Sequence, residues 1–242
     1  MDMNPSKISY SDCPAGMELW GVLPERDQEL LRFAYEESLS RLAGEWRQSL
    51  ARKQTFWINL WQRSGGGERV PLGRIDELDA FSRELAHSVY GRGHVEFDGY
   101  GWSVNPAGSQ SQEWHIDYTF DYSTIFIPLT RLTEQNCIQY AVLPANISTD
   151  LKARATLDLD KVDMGLLCRE SDWVSIRQLV VKPYSVVKMD FKTIHRGVAN
   201  SGDSDRVLFW ISVKQGIDLL PAEPLVERID DREGRKEVGA KY

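Results

Sequence analysis

The segment Gln112-Glu113-Trp114-His115-Ile116-Asp117-Tyr118 places an imidazole and a carboxylate two residues apart. In an extended chain, residues i and i+2 project from one face, so His115 and Asp117 converge on a common point. A further imidazole, His195, stands near the end of Met189-Asp190-Phe191-Lys192-Thr193-Ile194-His195-Arg196-Gly197, where an apolar run gives way to a turn. Two His and one Asp make the facial set of ligands that suits ferrous iron with coordination positions left open. Eleven residues after His195, Arg206 opens the run Arg206-Val207-Leu208-Phe209-Trp210-Ile211-Ser212-Val213. A guanidinium at the head of a buried strand requires an anion, and its planar fork matches a carboxylate. An H-x-D tripeptide alone is common. The metal-site reading rests on the ordered set of tripeptide, distant His and following Arg, each beside a strand-like run.

These residues resemble the iron(II)/2-oxoglutarate-dependent oxygenases, and within them the phytanoyl-CoA dioxygenase-like branch. Trp114-His115-Ile116-Asp117 matches that family's W-H-x-D segment. Asp190, Phe191, His195, Asn200 and Arg206 match its closing pattern. Between them, Glu134-Gln135-Asn136-Cys137 and Leu143-Pro144-Ala145-Asn146 echo the family loosely, and the Gly-Ser-His expected after the proline is missing. The likeness spans roughly Val95 to Val213, so it concerns the catalytic barrel and not the choice of substrate.

The resemblance implies Fe(II), 2-oxoglutarate and O2 as the reacting partners. It assigns His115, Asp117 and His195 to the metal and Arg206 to the far carboxylate of 2-oxoglutarate. Decarboxylation to succinate and CO2 would then generate an oxidant that removes hydrogen from an unactivated C–H bond, with hydroxylation as the default and desaturation or cyclisation as variants. Retention of Asp117 argues against halogenation, because related halogenases replace that carboxylate to admit halide. Two further readings stand beside this one: a cupin-like metal oxygenase, isomerase or hydrolase that does not use 2-oxoglutarate, and a non-catalytic binding module on the same barrel. A small-molecule substrate, of natural-product or amino-acid origin, is expected. Tyr100, Trp102, Gln112, Trp114 and Tyr118 flank the ligands and are candidates for the substrate cavity, although alternating aromatics serve a core equally well. Lys192 and Arg196 read as exposed turn charges or as a grip for an acidic substrate group. His87 and His94 read as structural or surface residues.

The elements that must position these groups follow from periodicity. From Pro24 onward, Leu31, Tyr35, Ser38, Leu42, Trp46 and Leu50 keep near-helical spacing, with Glu25 and Asp27 favouring a helix start. Thr55-Phe56-Trp57-Ile58-Asn59-Leu60-Trp61 is strand-like and is broken by Ser64-Gly65-Gly66-Gly67, a plain turn. Ile75, Leu78, Phe81, Leu85 and Val89 mark a second amphipathic helix that Gly91 closes. Beyond Gly93 short strands are predicted at Val95–Val104, Trp114–Tyr118, Thr124–Leu129, Ile138–Leu143, Gln178–Val181, Val186–Met189 and Val207–Val213. Residues Met1 to Leu23 are turn-rich, and Ala145 to Trp173 is a long charged segment that reads as a lid or as a surface excursion.

The expected fold class is α+β and mainly β, a double-stranded β-helix (jelly-roll or cupin-like) core with N-terminal helices packed on one sheet. One domain is expected over 1–242, with a helical front end over about 24–92, a barrel core over about 93–214 and a charged tail over 217–242. With 242 residues, 42% hydrophobic and 27% charged, the chain has an ordinary globular composition. Its net charge of −7 provides no long-range attraction for nucleic acid or an anionic membrane. Cys13, Cys137 and Cys168 are odd in number and widely spaced, which indicates neither a disulfide framework nor a zinc knuckle. The start lacks signal-peptide order and no apolar run approaches a membrane span, so a cytoplasmic protein is expected. Oligomeric state is not legible.

Overall fold

A computed structural model describes residues 16–41, 48–62, 70–91, 95–117, 122–143, 155, 161–171, 174–190 and 193–215. In chain order the elements are β1 (Met17–Val22), α1 (Glu25–Arg41), β2 (Phe56–Gln62), α2 (Ile75–Tyr90), β3 (Val95–Asn105), β4 (Tyr122–Pro128), β5 (Ile138–Val142), α3 (Met164–Glu170), β6 (Ser175–Leu179), β7 (Ser185–Met189), β8 (His195–Gly197) and β9 (Arg206–Gln215). Six strands form one sheet in the order β1-β7-β4-β9-β3-β2, and three form a second in the order β6-β5-β8. Every pairing among the described strands is antiparallel. Among the described residues no helix is long and apolar enough to cross a membrane.

The two-residue period of the strands decides what lies on each side of the large sheet. Along β9, Val207, Phe209, Ile211 and Val213 join Ile125 and Ile127 of β4 in a core shared with the helices. Leu208 and Trp210 face the other way, with Phe126, Val187 and Met189, against Ile138, Tyr140 and Val142 of β5. The large sheet is thus covered by helices on one face and by the small sheet on the other.

Helix α2 buries Leu78, Phe81, Leu85 and Val89, the apolar stripe expected from its spacing. Gly91 closes it at φ 89°, a conformation open to glycine, and its N–H donates to the His87 carbonyl. Helix α1 buries Leu30, Leu31, Ala34 and Ser38, and Leu50 also packs on this core. Leu42 and Trp46, expected to continue its face, lie outside the described residues, as do Ser64 to Gly67 and the tail over 217–242.

Four expectations differ from what is observed. The segment Trp114–Tyr118 is not a strand: His115 makes isolated antiparallel bridges to Lys161 and His195, and Tyr118 lies outside the described residues. Within the turn-rich start, Met17–Val22 is a strand, because β7 supplies partners from Ser185 to Met189 that no local pattern announces. His195 lies in the short strand β8, paired to β5, and not in a turn. The stretch 145–173 is described only at Ala155 and over 161–171, where Met164–Glu170 forms α3, with Asp163 accepting the Leu166 N–H as its cap.

Candidate metal centre

The two histidines are joined through their backbones before their rings are considered. His115 N–H donates to the His195 carbonyl at 3.0 Å, and His195 N–H returns the bond to His115 at 2.9 Å. Residues that exchange both bonds across an antiparallel pair carry their side chains on the same face. The ring centroids accordingly lie 4.5 Å apart.

Each ring is also oriented by its own chain. The Nδ1 of His115 sits 2.8 Å from the Glu113 carbonyl, and the Nδ1 of His195 sits 3.0 Å from the Thr193 carbonyl. A carbonyl accepts only, so both Nδ1 atoms carry hydrogen and both Nε2 atoms are turned to the interior. Such an anchor on the second nitrogen is what a metal-binding imidazole needs, and it comes from main-chain atoms that no side-chain pattern reveals.

Asp117 completes the group. Its Oδ1 lies 3.6 Å from His115 Nε2 and 3.4 Å from His195 Nε2, and its Oδ2 accepts weakly from Thr124 Oγ1 at 3.4 Å. Burial raises the pKa of this carboxyl. The two imidazoles that face it, His195 foremost, outweigh that cost and hold it well below the usual carboxylate range. One ligand atom from each residue lies within 4.8 Å of the others, a set that could hold a metal ion. An ion bound at about 2.1 Å places adjacent ligand atoms about 3 Å apart, so a small inward movement completes the coordination.

Arg206 is held in the wall of the same cavity, 1% exposed. Its Nε donates to Asn105 Oδ1 at 3.2 Å, and its Nη1 donates to the carbonyls of Asn136, Cys137 and Val198 at 2.9, 2.9 and 3.1 Å. Among the described residues no carboxylate pairs with it, and Nη2 donates to none of them. Burial pushes its pKa down to about 10, with the Cys137 side chain opposing, so the group remains a cation at neutral pH. A buried cation without a counterion is costly, and an arriving carboxylate removes that cost.

The cavity measures about 280 Å³ and is lined by the triad, Arg206, the apolar Phe126, Ile138, Leu208 and Trp210, and the polar Asn59, Ser103, Asn105, Gln112 and Thr124. Gln112, a candidate from the sequence, lies there; its Oε1 accepts the Gly197 N–H at 2.8 Å. Trp114 packs beside the α3 cluster instead, and the Arg196 guanidinium lies 4.7 Å from its ring centroid. Arg196 also donates twice to Gln139 Oε1 of β5 and is half-buried, so it is not an exposed turn charge. Lys192 lies outside the described residues.

Tyr100 and Trp102 require a correction. Both are fully buried in the helix-side core, where Trp102 packs on Tyr35 and Phe209 and its Nε1 donates to Ser38 Oγ at 3.2 Å. On β3 the cavity face belongs to the alternate residues Ser103 and Asn105. A one-residue change of phase exchanges the two faces, and aromatic content alone does not select between them. Trp57 and Asn59 of β2 were not anticipated at the cavity. Their signal was present in the alternation of Phe56, Ile58 and Leu60, all buried, with Trp57 and Asn59, both exposed.

No family model matches the sequence, and no curated protein matches it. Solved structures do. SnoK, described as a non-heme alpha-ketoglutarate-dependent carbocyclase from nogalamycin biosynthesis, superposes with a TM-score of 0.59 at 18% identity, over 83% of this chain and 80% of its own. The present chain has that fold. AviO1 from Streptomyces viridochromogenes Tue57 gives 0.54 at 16% identity over 87% and 92%. EvdO2 from Micromonospora carbonacea var. aurantiaca gives 0.53 at 19% identity over 84% and 87%. The fold shared with these neighbours and the His-Asp-His group therefore occur together in one chain.

Proposed function

We propose that this chain is a single-domain, non-haem iron(II)- and 2-oxoglutarate-dependent oxygenase built on a double-stranded β-helix, with His115, Asp117 and His195 as the metal ligands and Arg206 as the anchor of the co-substrate. Its two facing antiparallel sheets and its similarity in fold to SnoK support the architecture. The motif likeness of Trp114 to Asp117 and Asp190 to Arg206 supports placement near the phytanoyl-CoA dioxygenase-like branch. The observation that carries the reading is the buried Arg206 guanidinium, without a carboxylate partner among the described residues, in the wall of the cavity that also holds the two-His-one-Asp group.

Three protein ligands on one face leave positions for a chelating 2-oxo acid and dioxygen. A ferrous ion held by His115, Asp117 and His195 would supply, with 2-oxoglutarate and O2, the oxidising power for an unactivated C–H bond, with release of succinate and CO2. The chain's own residues do the positioning. The Glu113 and Thr193 carbonyls hold the imidazole tautomers, and Arg206, braced by three carbonyls and Asn105, offers Nη2 to the distal carboxylate. Phe126, Ile138 and Leu208 form an apolar part of the cavity wall that would keep water from the reacting end. Hydroxylation of a small molecule is the default outcome.

Anaerobic addition of ferrous iron and 2-oxoglutarate tests the reading. It expects the weak visible charge-transfer band of an iron-bound 2-oxo acid and succinate on admission of oxygen. Absence of the band at saturating concentrations of both overturns it.

A further inference from the structure

A second space of about 400 Å³, a vestibule, adjoins the metal-side cavity and is lined by Trp57, Gln112, Glu113, His115, Ile116, Asp117 and Lys161. Trp57, Gln112, His115 and Asp117 border both spaces. A molecule lying across that boundary would present one end to the three ligands and rest the remainder on Trp57. Trp57 is 59% exposed, and among the described residues no ring or cation packs on its indole. Its place on the lining of both spaces, rather than its exposure alone, makes this indole a face on which a ring can stack.

The polar groups at the boundary narrow the partner further. Because the Gly197 N–H can only donate, it fixes the Gln112 amide with Oε1 turned to the backbone. Nε2 is then left as a donor with no acceptor among the described residues, and an oxygen acceptor satisfies it. Charge is absent by comparison. Arg206 serves the co-substrate, Asp117 faces the two imidazoles, and Glu113 and Lys161 at the rim neutralise one another at 2.8 Å. Among the described residues lining the vestibule each charged side chain already has an opposite charge or an imidazole beside it, which gives a neutral molecule the advantage over a carboxylate, phosphate or ammonium.

From these three features we infer that the primary substrate is a neutral, oxygen-bearing ring compound. One ring face stacks on Trp57, a hydroxyl or carbonyl oxygen accepts from Gln112 Nε2, and neither an amino acid nor a CoA thioester is the substrate. The inference rests on the oxygenase reading for the place of the reacting end, but the stacking surface stands independently of it.

The test uses the full chain with ¹⁵N-labelled indoles, loaded with Zn(II), and titrated with and without 2-oxoglutarate. The Trp57 indole signal is identified by its loss in Trp57→Phe. Two neutral probes separate the possible sources of the ring: 7-methoxycoumarin for a planar aromatic and methyl β-cellobioside for a saturated sugar. Coenzyme A and L-phenylalanine represent the charged classes. At least one neutral probe should shift the Trp57 signal, and Trp57→Ala should weaken that probe roughly tenfold while Trp57→Phe retains most of the affinity. A silent Trp57 signal with both neutral probes, or an equal response to coenzyme A or phenylalanine, overturns the inference. If 2-oxoglutarate itself fails to bind, the co-substrate assignment of Arg206 falls, while the probe titrations without it still decide the role of Trp57.

Discussion

Arg206 Nη2 occupies the space that a side chain at Gly197 would fill. A Cβ built there collides with Nη2 and presses on Gln112 Oε1 and Arg206 Cζ. The residue two positions after His195 is therefore glycine because the guanidinium crosses the backbone of β8 at that point. Gly197→Ala should displace the guanidinium, at a cost of about 1–3 kcal/mol for overpacking. Affinity for 2-oxoglutarate should fall about tenfold or more, with metal affinity little changed. Calorimetric titration of both ligands on the same variant checks this, and an unchanged 2-oxoglutarate affinity contradicts the placement.

Replacing Arg206 acts on two properties at once. Arg206→Ala removes the proposed carboxylate anchor and also leaves the Asn136, Cys137 and Val198 carbonyls without their donor. Stability should fall by about 1–3 kcal/mol for a buried acceptor left unmade. The 2-oxoglutarate requirement should rise at least about thirtyfold, from the loss of a buried charge-assisted pair. Arg206→Lys keeps the charge without the fork, so it should recover part of the affinity and little of the bracing. Unaltered dependence of activity on 2-oxoglutarate in either variant would favour a metal enzyme of another type.

The anchoring of His195 makes a prediction outside the ligand set. Gly16 has φ +74°, and a Cβ there meets Thr193 Oγ1. Gly16→Ala should shift Thr193, whose carbonyl orients the His195 ring. Disturbing a partner of this kind typically costs ten- to a hundredfold in metal affinity. Cobalt(II) titration by visible absorption would measure it. Asp117→Ala, which deletes a proposed ligand outright, should be the more severe of the two.

Trp102 and Trp57 should behave oppositely in a denaturation experiment. Trp102 is fully buried between Tyr35 and Phe209, so Trp102→Ala should destabilise the fold by about 3–5 kcal/mol. Trp57→Ala should change stability by less than about 0.5 kcal/mol, as is usual for an exposed side chain. Urea midpoints for the two variants settle which tryptophan belongs to the core.

Much of this molecule is legible in its residues because the signals are local. The spacing of Ile75 to Val89 and the glycine at 91 define α2, and the β-branched and aromatic run from Arg206 onward defines β9. The H-x-D spacing, His195 and Arg206 are enough to propose a metal and an acid anchor. Other features depend on pairing across long stretches of chain. β1 is a strand only because β7 pairs with it, and the two imidazoles align because His115 and His195 exchange backbone bonds. Residue types alone assign neither relationship.

The faces of β3 show the same division. Its alternating pattern established that two sets of side chains point in opposite directions, but not which set meets the helices. Packing resolved that in favour of Tyr100 and Trp102, since the helical layer buries large aromatic area and the cavity needs the smaller Ser103 and Asn105. Chemistry-bearing residue types were thus determined by the sequence. Their tautomers, the room for Arg206 and the exposure of Trp57 were decided only when distant backbones came together, because main-chain donors and empty space have no residue code of their own.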